Sequence, residues 1–185
     1  MAEMYFIALV APNEIDQELA KWKLFMKERY DCVVALRSPA HITLIPPFWM
    51  KDTSEDELEN VMREFSQQQN PFELGLKNFA AFPPRAIYVD IVPNAPLMIL
   101  HTLLEEYLTS SHLFPIKKDV RPFHPHITIA SRDIQKKDFP EVWNTFKEKK
   151  YEAAWPVDTL ALLRYGQKKW DVIFTSQFKN QFTSY

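Results

Sequence analysis

Residues 4–10 (MYFIALV) form an unbroken apolar run of strand length, and the period then changes to 3.6, with Ile15, Leu19, Trp22 and Met26 on one helical face. Asn13, with Asp16 three residues on, is placed to cap that helix. Residues 41–48 are extended and close on Pro46-Pro47. Ser54-Glu55-Asp56-Glu57 is a capping-box pattern ahead of Leu58, Val61, Met62 and Phe65, the stripe of a second helix, and residues 72–79 read as a strand. The series then restarts. Residues 86–92 (AIYVDIV) predict a strand, and Pro96 opens a helix with Leu97, Leu100, Leu104 and Leu108 on one side. An extended segment is expected at 124–130, a helix at 140–149, and strands at 157–165 and 170–178.

Each half thus reads strand, helix, strand, helix, strand. Tyr5 and Ile87 open the halves, 82 residues apart, and His41 and His126 stand 85 apart in the third element of each. This repeat predicts an α/β (α+β) fold with two lobes related by an approximate two-fold axis. The expected organisation is one domain over 1–185, built from interleaved lobes of approximately 1–80 and 86–178.

Composition narrows the partners. The 22 basic and 24 acidic side chains nearly cancel, which excludes the basic excess needed to hold duplex DNA through many phosphates. Gly75 and Gly166 are the only glycines, too few for a glycine-rich phosphate cradle. Cys32 is the single cysteine, so neither an internal disulfide nor a cysteine-rich zinc site is available. No apolar run reaches the length of a membrane helix. A cytoplasmic monomer that does not engage membranes is the expectation.

The chemistry lies in two copies of His-apolar-Thr-apolar, His41-Ile42-Thr43-Leu44 and His126-Ile127-Thr128-Ile129. On a strand, residues i and i+2 share a face, so each histidine projects beside its threonine while the apolar residues face the core. Two imidazoles flanking a phosphorus atom can activate a nucleophile and protonate the departing oxygen, one neutral and one charged. Two hydroxyls can donate to the non-bridging oxygens. His124 offers a His-x-His metal pair with His126, but no carboxylate or cysteine stands at a matching spacing, and His124 is expected to brace the site. His101 and His112 are expected on the surface. Phe48 and Phe82 are the aromatics expected to stack on a base, and Arg85, Arg37 and Arg121 are candidate phosphate contacts.

The segments MYFIALVAP, SPAHITLIPPF, FPPRAIYVDI and PFHPHITIA resemble the 2H phosphoesterase superfamily, in particular the 2′-5′ RNA ligase-like (LigT-like) cyclic phosphodiesterases, over nearly the whole chain. The closing LALLRYGQKKWDVIFTSQF resembles the YjcG-like subgroup. The resemblance implies antiparallel sheets lining a central cleft with helices outside, and hydrolysis of 2′,3′-cyclic phosphates of RNA ends or nucleotides. It makes His41, Thr43, His126 and Thr128 the catalytic set, with no metal or cofactor. It also implies a phosphate-contacting arginine five residues after the second histidine. Ser131 occupies that place and Arg132 follows. Phe48, Phe82, Arg85, His124, Ser131 and Arg132 are therefore the expected substrate-binding residues. The alternatives are a binding module for a nucleotide or RNA end that keeps the cleft without turnover, and RNA 2′-5′ ligation.

Overall fold

The apolar N-terminal run belongs to β1 (Ala2–Val10), in a computed structural model that describes residues 1–179. Helix α1 (Asn13–Tyr30) follows, but Pro12 and not Asn13 sits at its N-cap, and no side chain caps it. Asp16 instead accepts the Ala40 N–H at 2.6 Å, tying the helix to the start of the next strand. Asp31, left-handed with φ of 57°, ends the helix.

Strand β2 (His41–Lys51) runs through Pro46-Pro47 and does not stop there. Its register with β1 jumps from Ile7↔Ile45 to Tyr5↔Phe48, so the prolines sit in a bulge opposite Phe6, where no ladder N–H is required. Helix α2 (Glu55–Ser66) starts after Ser54, whose side chain makes no cap bond. Then come β3 (Phe72–Phe82), β4 (Ala86–Ile91) and α3 (Ala95–Ser110). The Leu97 N–H donates to Asn94 at the N-cap of α3, with Pro96 in the first turn. Strand β5 (His126–Ser131) begins at His126, leaving His124 in the preceding loop, and α4 (Phe139–Phe146) is shorter than its pattern predicts. Strand β6 (Glu152–Val157) was not marked by periodicity, because Pro156 and two alanines dilute the alternation. Strands β7 (Thr159–Gly166) and β8 (Lys169–Gln177) follow.

Two four-stranded antiparallel sheets result, ordered β2-β1-β7-β8 and β5-β4-β3-β6. Each has a histidine-bearing strand at one edge and a helical crossover, α1 or α3, leading into it. Val10 pairs with His41 and Asp90 with His126, while Ala8 pairs with Thr43 and Tyr88 with Thr128. Equivalent positions on β1 and β4 are therefore 80 residues apart, and Ile87 corresponds to Ile7, not Tyr5. The sheets do not divide the chain at residue 80. Strand β3 follows α2 yet pairs with β4 and β6, and β7 returns to β1.

One buried apolar cluster runs through both sheets. Phe146 of α4 is fully buried at its centre, 5.1 Å from Phe79 of β3 and 5.8 Å from Trp22 of α1. This packing couples α1 and α4 to β3 of the second sheet.

Candidate active site

His41 and His126 are the first residues of β2 and β5, and both line one cleft of about 700 Å³ together with Thr43 and Thr128. The two rings are held alike. Nδ1 of His41 lies 2.8 Å from the Pro39 carbonyl, and Nδ1 of His126 lies 2.7 Å from the His124 carbonyl. A carbonyl only accepts, so each Nδ1 carries the proton and each Nε2 is left to exchange protons. Each ring also rests on aromatic carbon. Phe6 lies 4.8 Å from His41, while Tyr88 and Phe82 lie 5.1 and 5.3 Å from His126. Among the described residues, neither threonine hydroxyl has a side-chain hydrogen bond, and both are available to a ligand.

The electrostatics of the two histidines differ. Burial pushes His41 down to about 4, helped by the nearby charges of Lys23 and His126 and opposed by its bond to Pro39 and by Asp16. His126 is also lowered, again chiefly by burial, with the charge of His124 adding; its bond to the His124 carbonyl and the Asp90 carboxylate oppose. Burial thus favours the neutral form of both rings, His41 the more strongly, and each has one carboxylate near it, Asp16 beside His41 and Asp90 beside His126.

The other expected residues divide. Ser131 and Arg132 both line the cleft. Arg132 is left-handed, with φ of 66°, so the backbone turns at the position where a plain strand would have swung its side chain away. His124 lines the cleft and reaches the Tyr88 hydroxyl at 3.2 Å. Phe82 is partly exposed beside His126 and His124. Phe48 is placed elsewhere: it is buried and stacks on Tyr5, the core residue that it pairs with beyond the proline bulge. Arg85 and Arg37 are exposed outside the lining. Arg121 does line the cleft, but its guanidinium is bound to Asp119 at 2.6 Å, which holds that carboxyl down to about 2. His101 is not a plain surface residue: it stacks on Phe123 at 3.8 Å and both face the cleft.

Several lining residues escaped the sequence reading. Phe6 and Met4 from β1 and Ser38 before β2 are among them, and they form the wall on the His41 side with Trp170 from β8, which its place near a strand end already puts among the aromatics able to stack. Trp170 meets Phe6 edge-on at 4.6 Å. Val34 and Ala35 close one end, held by Asp133, whose carboxylate accepts the Val33 and Val34 N–H groups at 2.6 and 2.7 Å. A second cavity, of about 400 Å³ near Trp155 and Val172, has Asp158 as its one titratable group and offers no acid–base pair. Among the described residues, no three His, Cys, Asp or Glu side chains are grouped to hold a metal ion. No described helix is long and apolar enough to cross a membrane.

The family model described as the 2′-5′ RNA ligase superfamily matches residues 11–169, spanning both histidine motifs. The chain belongs to this superfamily, the 2H phosphoesterases. It is 30% identical over 163 residues to a Bacillus pumilus protein named "Putative phosphoesterase", covering 86% of this chain and 88% of that protein. A Bacillus licheniformis protein of similar name is 32% identical over 126 residues, covering 65% of this chain and 68% of its own. In fold the chain is similar to E. coli LigT, solved with 3′-AMP, at a TM-score of 0.70 and 19% identity, covering 97% of this chain and 100% of that one. Two antiparallel sheets with flanking helices are thus the family architecture, and phosphoester chemistry is its class.

Proposed function

We propose that the protein is a metal-independent phosphodiesterase that hydrolyses 2′,3′-cyclic phosphate esters of nucleotides or RNA ends. The carrying observation is the pair of histidines, each with Nδ1 tied to a carbonyl and a threonine two residues on, lining one cleft. Nε2 of His41, the ring less able to hold a proton, takes one from water as the oxygen attacks phosphorus. The bond to one ribose oxygen breaks, and Nε2–H of His126 delivers its proton to that oxygen. The product carries a single phosphate on the other ribose oxygen, and the proton on His41 returns to solvent as His126 is reprotonated.

Thr43, Thr128 and Arg132 donate to the non-bridging oxygens as charge gathers there. Arg132, with no ion pair among the described residues, takes the role that Arg121 cannot while Asp119 holds it. Phe6 and Trp170 give the His41 side an apolar wall suited to a ribose or base. That LigT was solved with 3′-AMP is consistent with a nucleotide in such a cleft. A monomer acting in the cytoplasm on these small esters remains our reading.

The test is incubation of the purified protein with 2′,3′-cyclic mononucleotides and short cyclic-ended RNAs, with the product phosphate located by phosphorus NMR. Monophosphate formed at the same rate with and without EDTA is expected. Binding without product would establish the binding-module alternative in its place, and loss of rate in EDTA restored by zinc would overturn the metal-free mechanism. Arg132→Ala is expected to raise KM about tenfold, the loss of one charge-assisted contact, with a smaller change in kcat. An unchanged KM would remove Arg132 from the site.

A further inference from the structure

Among the described residues, Lys23 and Glu105 are the two charged side chains buried in the interior, at 4% and 6% exposure. They sit on the corresponding crossover helices, α1 and α3. Burying an ammonium is costly unless something is gained from it. Lys23 has, among the described residues, one hydrogen-bond acceptor, the Ser38 carbonyl at 3.1 Å. Ser38 lines the cleft, the next carbonyl along, from Pro39, receives the His41 Nδ1–H, and the following N–H, from Ala40, donates to Asp16 on the same helix. Helix α1 therefore grips the three residues before His41 with a cation on one side and an anion on the other. The counterpart on α3 does not do this: Glu105 accepts the Asp119 N–H in the loop before β5, and the carboxylate facing His126 is Asp90.

We propose that Lys23 is a positioning residue for the reaction: it anchors the Ser38–Ala40 turn that orients the His41 ring, and its buried positive charge disfavours protonation of that ring, so that two nearly symmetric histidines take different roles. The proposal rests on the reading of His41 as the base. The groups facing His41 are Lys23 and Asp16 from α1 and His126 from β5, and Lys23 is the one fixed cation among them. Lys23 is itself lowered to about 8 by burial, against the pull of Asp16, and stays largely charged at and below neutral pH. A residue outside the cleft thus adds to the burial that sets His41 apart from His126.

Two variants separate charge from anchorage. Lys23→Gln keeps a donor for the Ser38 carbonyl without the charge, and Lys23→Met removes both. The readout is the titration of His41 followed by NMR of its ring protons in the substrate-free protein, which does not depend on turnover. Thermal melts confirm that each variant is folded. In both, the His41 midpoint is expected to rise by about half a pH unit, the order expected of one neighbouring charge in a partly buried site. The acid limb of kcat/KM is expected to move with it. A His41 midpoint unchanged in folded Lys23→Gln would overturn the electrostatic role. If Lys23→Met also kept wild-type kcat/KM, the anchoring role would fall too. Should the protein hydrolyse no cyclic phosphate, the proposed function fails, while the titration still decides whether Lys23 sets the state of His41.

Discussion

His41→Ala and His126→Ala are each expected to lower kcat/KM by about a hundredfold or more, with little change in thermal stability. Both rings stand at the cleft end of an edge strand, so truncation opens space toward solvent and not within the core. Each variant removes one half of a proton relay. Without His41 the attacking water keeps its proton, and without His126 the ribose oxygen must leave as an alkoxide. Because the two act in one step, the double variant is expected to be little worse than the poorer single one, the residual rate coming from Thr43, Thr128 and Arg132. Glutamine at either place fills the volume but does not titrate, so it should be as impaired as alanine. Near-normal turnover in either single variant would take that residue out of the mechanism.

The second large effect is on pH dependence. A phosphodiester does not titrate in the working range, so kcat/KM reports the free enzyme's two histidines. The base must be unprotonated, and His41 loses its proton at about 4, so the acid limb should bend there. The acid must be protonated, and His126 lies below its ordinary value of 6.5, so the alkaline limb should bend before that point. The bell is therefore expected to peak on the acidic side of pH 6.5, falling about tenfold per pH unit beyond each limb. In kcat, both limbs should move upward, since a bound phosphate anion favours the charged form of both rings. A kcat/KM maximum above pH 7 would contradict the assignment of roles.

Much of this was legible in the residues. Two His-x-Thr motifs in apolar surroundings fixed strand and face together, because a period of two leaves no other place for residues i and i+2. The parity of β2 gave no guide to Phe48: two register shifts with β1 lie between Thr43 and Phe48, and its burial follows from standing opposite Tyr5. Phe6 left no trace either, since β1 is apolar on both faces and nothing in its alternation distinguishes cleft from core. The position of Arg132 depends on one left-handed backbone angle, which sequence spacing does not report. Nor did the pattern reveal that β3 and β7 trade places, because pairing between distant strands depends on the packing of the whole core.

That exchange has a consequence for biosynthesis. The strand flanking β1 on the side away from His41 is β7, about 150 residues further along the chain, where Arg164 pairs with Tyr5. A chain still emerging from the ribosome can assemble β1 and β2 only as an isolated ribbon, which is at best marginal in water. The half that carries His41 must therefore wait, exposed, until synthesis has passed β8. An arrest or premature stop between Arg132 and β7 yields a species that holds His41, Thr43, His126, Thr128 and Arg132 but lacks the strand that flanks β1. Such contacts between opposite ends also impose slow closure in refolding.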